Sequence, residues 1–280
     1  MIPSNKKIIN FTPTGTQPTR ANSLAPLLPN EIIEEVHQAF ELGITLAHIH
    51  AREFGSLNNT YDKNIYELII NGIRKHCPAL SICVSLSGRI FPEFEKRSEV
   101  IELYPDMGSL TMSSLNFPLG ASINEPDMIL RLIEKMKQFG VIPEIECFDS
   151  GMLNYTNYLI KKGILSQPHY INMIFGNIYN AQSDIISIAA ISNNTPKENT
   201  VVCFGGIGKD QLKSNIMGLL YADGVRTGLE DNLYLKDKKL ATNIDLLIRT
   251  HDIMKLLNYE TLSPIEFQSL GFKNQIKCYT

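Results

Sequence analysis

Two histidines separated by one residue, His48-Ile49-His50, close an apolar run over 44–50 that reads as a β-strand. Strand residues at i and i+2 point to the same face, so the two imidazoles converge. Converging neutral imidazoles are two ligands of a Zn²⁺-type ion. The same spacing also occurs on rims and in hydrogen-bonded cores, so the pair alone leaves both readings open. A third ligand has to come from elsewhere. The stretch Val225-Arg226-Thr227-Gly228-Leu229-Glu230-Asp231-Asn232 places a dense polar cluster after an apolar strand, and Glu230 is the candidate it offers. The alternative there is a solvated acidic loop tip. Two histidines and one carboxylate leave a coordination position open for a substrate oxygen. The other histidines compete poorly: His37, His76 and His251 fall on helical patterns, and His169 enters a strand from its opposite end.

Other strand ends are polar as well. Thr12-Pro13-Thr14-Gly15 is followed by Gln17, and Ser85-Leu86-Ser87-Gly88-Arg89 and Ser113-Ser114-Leu115-Asn116 follow further apolar runs. Single Ser or Thr residues in such places are usually turn formers. Glu144 and Glu146 say more, because acidic residues within an apolar strand need a partner or a task. Gly205-Gly206-Ile207-Gly208 precedes a helix, where backbone N–H groups suit an anion, although a tight turn alone also explains the glycines. The pattern is neither GxGxxG nor a Walker loop.

These residues must be positioned by the elements around them. Strand-like runs lie at 7–12, 44–50, 80–86, 107–112, 142–148, 170–175, 201–204 and 224–228. Helical patterns fall near 30–42, 63–76, 93–103, 125–139, 152–162, 181–192, 209–221 and 243–257. In the second helix Ile65, Leu68, Ile69, Gly72 and Ile73 form the expected apolar stripe. Pro29 suits the first turn of the first helix and Gly43 its exit. Strict alternation of strand and helix implies parallel strands joined by crossovers, and eight such units favour a (β/α)₈ barrel over an open doubly wound sheet. Catalytic groups then belong at the C-terminal strand ends, where the His48–His50 pair falls.

The 280 residues, 44% of them apolar, suit one barrel domain of about 250 residues, spanning the chain with no evident linker. A net charge of −3 gives no reason to expect nucleic acid as a partner. Five cysteines show no CxxC spacing; Cys83 and Cys203 lie in apolar strand runs as small buried thiols, which suits a reducing cytoplasm. No secretion signal or membrane span is apparent.

Taken in order, TPTGTQPTR, AHIHAR, CVSLSGR, MGSLTMSSLNF, PEIECFD and GVRTGLEDN resemble the β-keto acid cleavage enzymes, the family of the 3-keto-5-aminohexanoate cleavage enzyme, nearly end to end. The resemblance implies a barrel that binds Zn²⁺, or another divalent metal, through His48, His50 and Glu230. It also implies an exchange in which a β-keto acid and acetyl-CoA give acetoacetate and a new acyl-CoA. Asp231 would then be the general base, with Arg226 orienting it by charge. The substrate-binding expectation covers Thr14, Gln17, Ser85, Ser114, Asn116 and Glu146. VSLSGR departs from the Ser-Thr-Gly-Gly pattern of some members, which leaves Ser85 and Ser87 as alternatives; Glu144 and Glu146 are alternatives likewise. A neutral Gln17 cannot pair with a substrate ammonium, so the expected substrate is a β-keto acid without an amino group. Members are commonly homotetramers, so a homo-oligomer is expected.

Three other readings compete. Amidohydrolase-type barrels carry their HxH on the first strand with further histidines on the fifth and sixth, and neither feature is present here. Fe(II) oxygenases share the ligand set but sit on barrels of a different build. A barrel that binds metal and ligand without turnover is opposed by the intact Asp231 and Arg226.

Overall fold

The computed structural model describes residues 2–17, 24–236 and 238–276. Its centre is a ring of eight parallel strands: β1 (Lys6–Phe11), β2 (Leu46–Ile49), β3 (Ser81–Val84), β4 (Met107–Thr111), β5 (Ile142–Cys147), β6 (His169–Phe175), β7 (Thr200–Gly206) and β8 (Gly224–Thr227). Each pairs with its chain neighbours, and β8 returns to β1 with Ile8 opposite Gly224 and Phe11 opposite Thr227. That last pairing closes the ring, so the architecture is the expected (β/α)₈ barrel and not an open sheet. The strands are buried on both faces because helices cover them outside and side chains, several of them polar, fill them inside.

The surrounding helices are α1 (Pro29–Leu42), α2 (Lys63–His76), α3 (Phe94–Ser98), α4 (Pro126–Gln138), α5 (Ser150–Lys161), α6 (Ile185–Asn194), α7 (Asp210–Tyr221) and α8 (Asn243–Leu256). Helix α1 begins at Pro29, where a missing N–H costs nothing, and the Glu31 carboxylate accepts the Leu27 and Leu28 amides. It stops at Gly43, whose φ of 97° lies in the left-handed region. Two expectations need correction. Leu68 faces solvent, because Tyr66 and Ile70 join Ile65, Ile69 and Ile73 on the buried face of α2 and rotate the stripe away from it. Helix α6 starts at Ile185 rather than near 181, since the Asp184 side chain caps the Ile186 and Ser187 amides there.

The two ends of the barrel differ. At the N-terminal end a ninth helix, α9 (Pro264–Ser269), plugs the opening. Phe267 stacks on Phe272 at 4.6 Å, and Tyr170 meets both rings edge-on. At the C-terminal end three short antiparallel hairpins follow β2, β4 and β8: Ala51–Arg52 with Asn59–Thr60, Leu115–Phe117 with Gly120–Ser122, and Tyr234–Lys236 with Lys239–Leu240. Cys77, Cys83, Cys147 and Cys203 are buried free thiols; Cys278 lies outside the described residues. No described helix is long and apolar enough to cross a membrane.

Candidate active site

The C-terminal mouth of the barrel opens into a cavity of about 270 Å³. His48 occupies the third position of β2, His50 directly follows that strand, and both are buried in the cavity wall. Their Nε2 atoms stand 3.3 Å apart. Glu230 arrives from the turn after β8. That turn depends on Gly228, whose φ of 151° brings its Cα so near the Thr12 carbonyl that an added Cβ would lie 2.1 Å from the oxygen. Glu230 Oε1 lies 3.3 Å from His50 Nε2, and its Oε2 lies 3.7 Å from His48 Nε2. Gly15 leaves room for it, since a Cβ there would meet Glu230 Cγ at 2.4 Å.

Whether these residues suit a metal ion can be tested on their own geometry. Ligand atoms about 2.0–2.1 Å from a tetrahedral ion stand about 3.3–3.4 Å from one another, close to the separations here. Glu230 Oε2 is buried without a hydrogen-bond partner. The charge balance points the same way. Glu144, Glu146, Glu230 and Asp231 surround Arg226, which alone among the described residues pairs with three of them, so the site calls for further positive charge. Burial lowers the pKa of His48, yet Glu144 and Glu230 lift it to about 9, as they would favour any cation at that point. His50 stays below the ordinary value because burial outweighs Glu230. The residues fit a divalent ion.

Glu144 supplies what the imidazole lacks. Its Oε2 accepts from His48 Nδ1 at 2.5 Å and from the Cys83 thiol at 2.9 Å. Its Oε1 accepts from the Asn10 and Asn172 amides at 2.5 and 2.7 Å. Burial would raise this carboxyl, but His48 holds it down at about 2, so it stays ionised and only accepts. That places a proton on His48 Nδ1, so once a cation displaces the second proton Nε2 is the lone-pair nitrogen. His48, Cys83 and Glu144 also form a potential ligand group, but their separations of 2.5 and 2.9 Å are those of hydrogen bonds, and burial keeps Cys83 a thiol. The pair of alternatives on β5 thus divides by depth: Glu144 is wholly buried behind His48, while Glu146 lines the cavity.

Arg226 lies fully buried on β8. Its Nε donates to Asp231 Oδ2 at 2.8 Å, its Nη2 sits 2.6 Å from Glu230 Oε1, and its Nη1 is 3.4 Å from Glu146 Oε1. Burial raises the Asp231 carboxyl above the usual range and Arg226 pulls it back only in part. Burial raises Glu146 too, against the same guanidinium. Thr111 donates to Glu146 at 2.8 Å.

A sequence model of the beta-keto acid cleavage enzymes matches residues 6–270. The chain belongs to the β-keto acid cleavage enzyme family. Among its relatives, a 3-oxoadipate:acetyl-CoA acetyltransferase of Cupriavidus necator is 31% identical over 86% of this chain and 85% of its own length. A 3-keto-5-aminohexanoate cleavage enzyme of Fusobacterium nucleatum is 28% identical over 95% and 97%. The barrel also superposes on ObcA in its binary complex with oxaloacetate, with a TM-score of 0.74 and 16% identity, covering 88% of this chain and 67% of that one. That likeness concerns the fold.

Within this β-keto acid cleavage enzyme the remaining expected positions divide. Gln17, Ser85, Glu146, Arg226 and Asp231 line the cavity with the His48–His50–Glu230 group, and Ser87 lines it beside Ser85. Thr14 is buried but is not part of that wall, where Thr16 stands instead. Ser114 and Asn116 are solvent-exposed on the hairpin side of β4; the Ser114 hydroxyl accepts from the Asn124 amide, and the Asn116 carbonyl accepts from Asn177. Gln17 Nε2 donates to the Glu230 and Leu229 carbonyls at 2.6 and 3.2 Å, so its amide nitrogen is engaged. The glycines at the end of β7 and just after it follow the tight-turn reading. A Cβ on Gly206 would strike Ser214 and Asp210 of α7, and the Gly208 amide donates to the Asp231 carbonyl at 2.7 Å, which fixes Asp231.

Two residues of the site carried no assignment from sequence, and Glu144 carried one only as the alternative to Glu146; its four donors place it behind His48. Arg52 donates to the Gly15 and Gln17 carbonyls at 2.6 Å each and pins the first loop over the cavity. Arg89 enters the cavity wall from the loop after β3.

Proposed function

We propose that the protein catalyses an acyl exchange in which a β-keto acid reacts with acetyl-CoA to give acetoacetate and a new acyl-CoA. The bond between C2 and C3 of the acid breaks, the acetyl group joins the C1–C2 unit, and the acyl group that held C3 passes to CoA sulfur. The observation that carries this reading is the convergence of His48, His50 and Glu230 beside an Asp231–Arg226 pair in one cavity. The relatives named for acetyl-CoA and keto acids support it.

In this reading His48, His50 and Glu230 hold a divalent ion, zinc by resemblance. Such an ion, when bound, supplies polarisation of a keto oxygen and stabilisation of enolate charge. Asp231 takes the proton from C2. Its Oδ2 is tied to Arg226 at 2.8 Å, whereas Oδ1 is held only at 3.4 Å, so Oδ1 is the atom free to accept it. A carboxyl raised by burial is a stronger base than one in water, which suits removal of a proton next to a carbonyl. Glu144 keeps His48 in the tautomer that presents Nε2. Leu115, Phe117, Phe148, Ile174 and Ile207 give the cavity an apolar wall for the acyl chain. Among the described cavity residues, Glu146, Glu230 and Asp231 are paired with Arg226, and the first loop offers Gln17, so a substrate without an ammonium group is favoured. By resemblance the protein is a cytoplasmic homotetramer and the chain one barrel domain.

The test is incubation of the metal-loaded protein with acetyl-CoA and a panel of β-keto acids, followed by assay of acetoacetate. Formation with at least one acid is expected; no acetoacetate across the panel removes the reading.

A further inference from the structure

Two guanidinium groups reach the cavity, and their surroundings differ. Arg226 is bracketed by Asp231, Glu230 and Glu146. Arg89 has no carboxylate within ion-pair distance among the described residues. Its Nη1 donates to the neutral Thr16 hydroxyl, and its Nε is buried without a partner. One face of the guanidinium rests on the Phe117 ring, with Cζ 3.6 Å from the ring centroid. The ring and Thr16 thus fix the plane of the group, while Glu230, Glu146 and Asp231 favour its charge only from beyond ion-pair distance, so its fork holds no carboxylate.

A guanidinium partly withdrawn from water, with a buried N–H left unpaired and no carboxylate in its fork, gains from a ligand that brings one. Its planar fork matches a carboxylate with two parallel hydrogen bonds, and the aromatic face beneath it limits the orientations it can adopt. Ser85 and Ser87 hydroxyls line the same wall. We propose that Arg89 anchors a carboxylate of the keto-acid substrate in the cavity it shares with Asp231. The proposal rests on the β-keto acid reading above and assigns a specificity-determining contact within it.

Loss of a contact made equally in ground and transition states raises KM and leaves kcat nearly unchanged. Arg89→Gln is therefore expected to raise KM for the keto acid about 10–100-fold, the range of a lost charge-assisted pair. KM for acetyl-CoA should stay within about two-fold, and Arg89→Lys should recover part of the loss because it keeps the charge without the fork. Two probes, 3-oxohexanoate and 3-oxoadipate, distinguish which carboxylate is held. A rise with both assigns the C1 carboxylate; a rise with 3-oxoadipate alone assigns the distal one. An unchanged keto-acid KM overturns the proposal, whether or not the KM for acetyl-CoA rises in its place. Wild-type turnover reports separately on the β-keto acid reading. If wild type is inactive, calorimetric titration of each acid without acetyl-CoA still decides the role of Arg89: weaker binding to Arg89→Gln upholds it, and equal binding overturns it.

Discussion

Glu144 and Glu146 sit two positions apart on β5, both facing the barrel interior, and about 6–7 Å of strand separates their depths. The deeper one meets Asn10, Cys83, Asn172 and His48; the shallower meets Arg226, Thr111 and the cavity. Alternation along the strand gives the shared face, but depth follows from the partners other strands bring, the nearest of them at least 28 residues away in sequence. This is why the sequence left the two acids as alternatives. His48, His50 and Glu230 were legible because strand periodicity and strand-end position point at them directly. Arg89 was not, since an arginine in a polar loop reads as solvated until Phe117 and Thr16 are seen against it. Two outcomes follow at this scale. His48→Ala should lower bound metal well below one ion per chain by elemental analysis, and Glu144→Gln should weaken affinity about 10–100-fold in competition with a chelator; unchanged stoichiometry and affinity would contradict the ligand assignment. Asp231→Asn should lower kcat about 10²–10⁴-fold while metal content stays near wild type, checked by steady-state kinetics beside the same metal analysis.

At the scale of elements, all eight strands fall within two residues of the bounds that apolar runs suggested, because a strand covered on both faces carries its own signature. The hairpins over the cavity left no such signature: strands of two or three residues hold too few side chains for a period to show. Helix α9 was likewise missed, being six residues long, although its Ser263-x-x-Glu266 box marks a helix start. The box makes its own prediction. Ser263→Ala should cost about 1 kcal/mol in urea unfolding, since the hydroxyl accepts the Glu266 amide. Hydrogen bonds from Lys6 and Ser263 hold the Glu266 carboxyl at about 2, below its ordinary value. A lowered folded-state value means that its stabilisation is complete above the ordinary carboxylate range and fades as pH falls toward 2. Wild type and Glu266→Gln should therefore differ in melting temperature at neutral pH and converge as the medium is acidified from about pH 5. A gap that widens on acidification would contradict the pairing. Because the side chain faces solvent, the gap should be small.

For the whole molecule, closure of the ring matters most, because it brings β2, β5 and β8 around one mouth and so joins His48, Glu146 and Arg226 across the chain. Ile178 and Tyr179 in the loop after β6 and Ile185 and Ile186 in the first turn of α6 are exposed, and large apolar side chains left in water suit the proposed self-association. Light scattering after size exclusion should return a multiple of the 31.5 kDa chain mass; the mass of one chain would argue against the homo-oligomer. The central claim is the direction in which carbon moves. Metal-loaded protein given a β-keto acid and acetyl-CoA labelled with ¹³C in its acetyl group, then analysed by mass spectrometry, should yield labelled acetoacetate and a new, unlabelled acyl-CoA. Label retained in the CoA thioester while the keto acid is consumed would contradict the account.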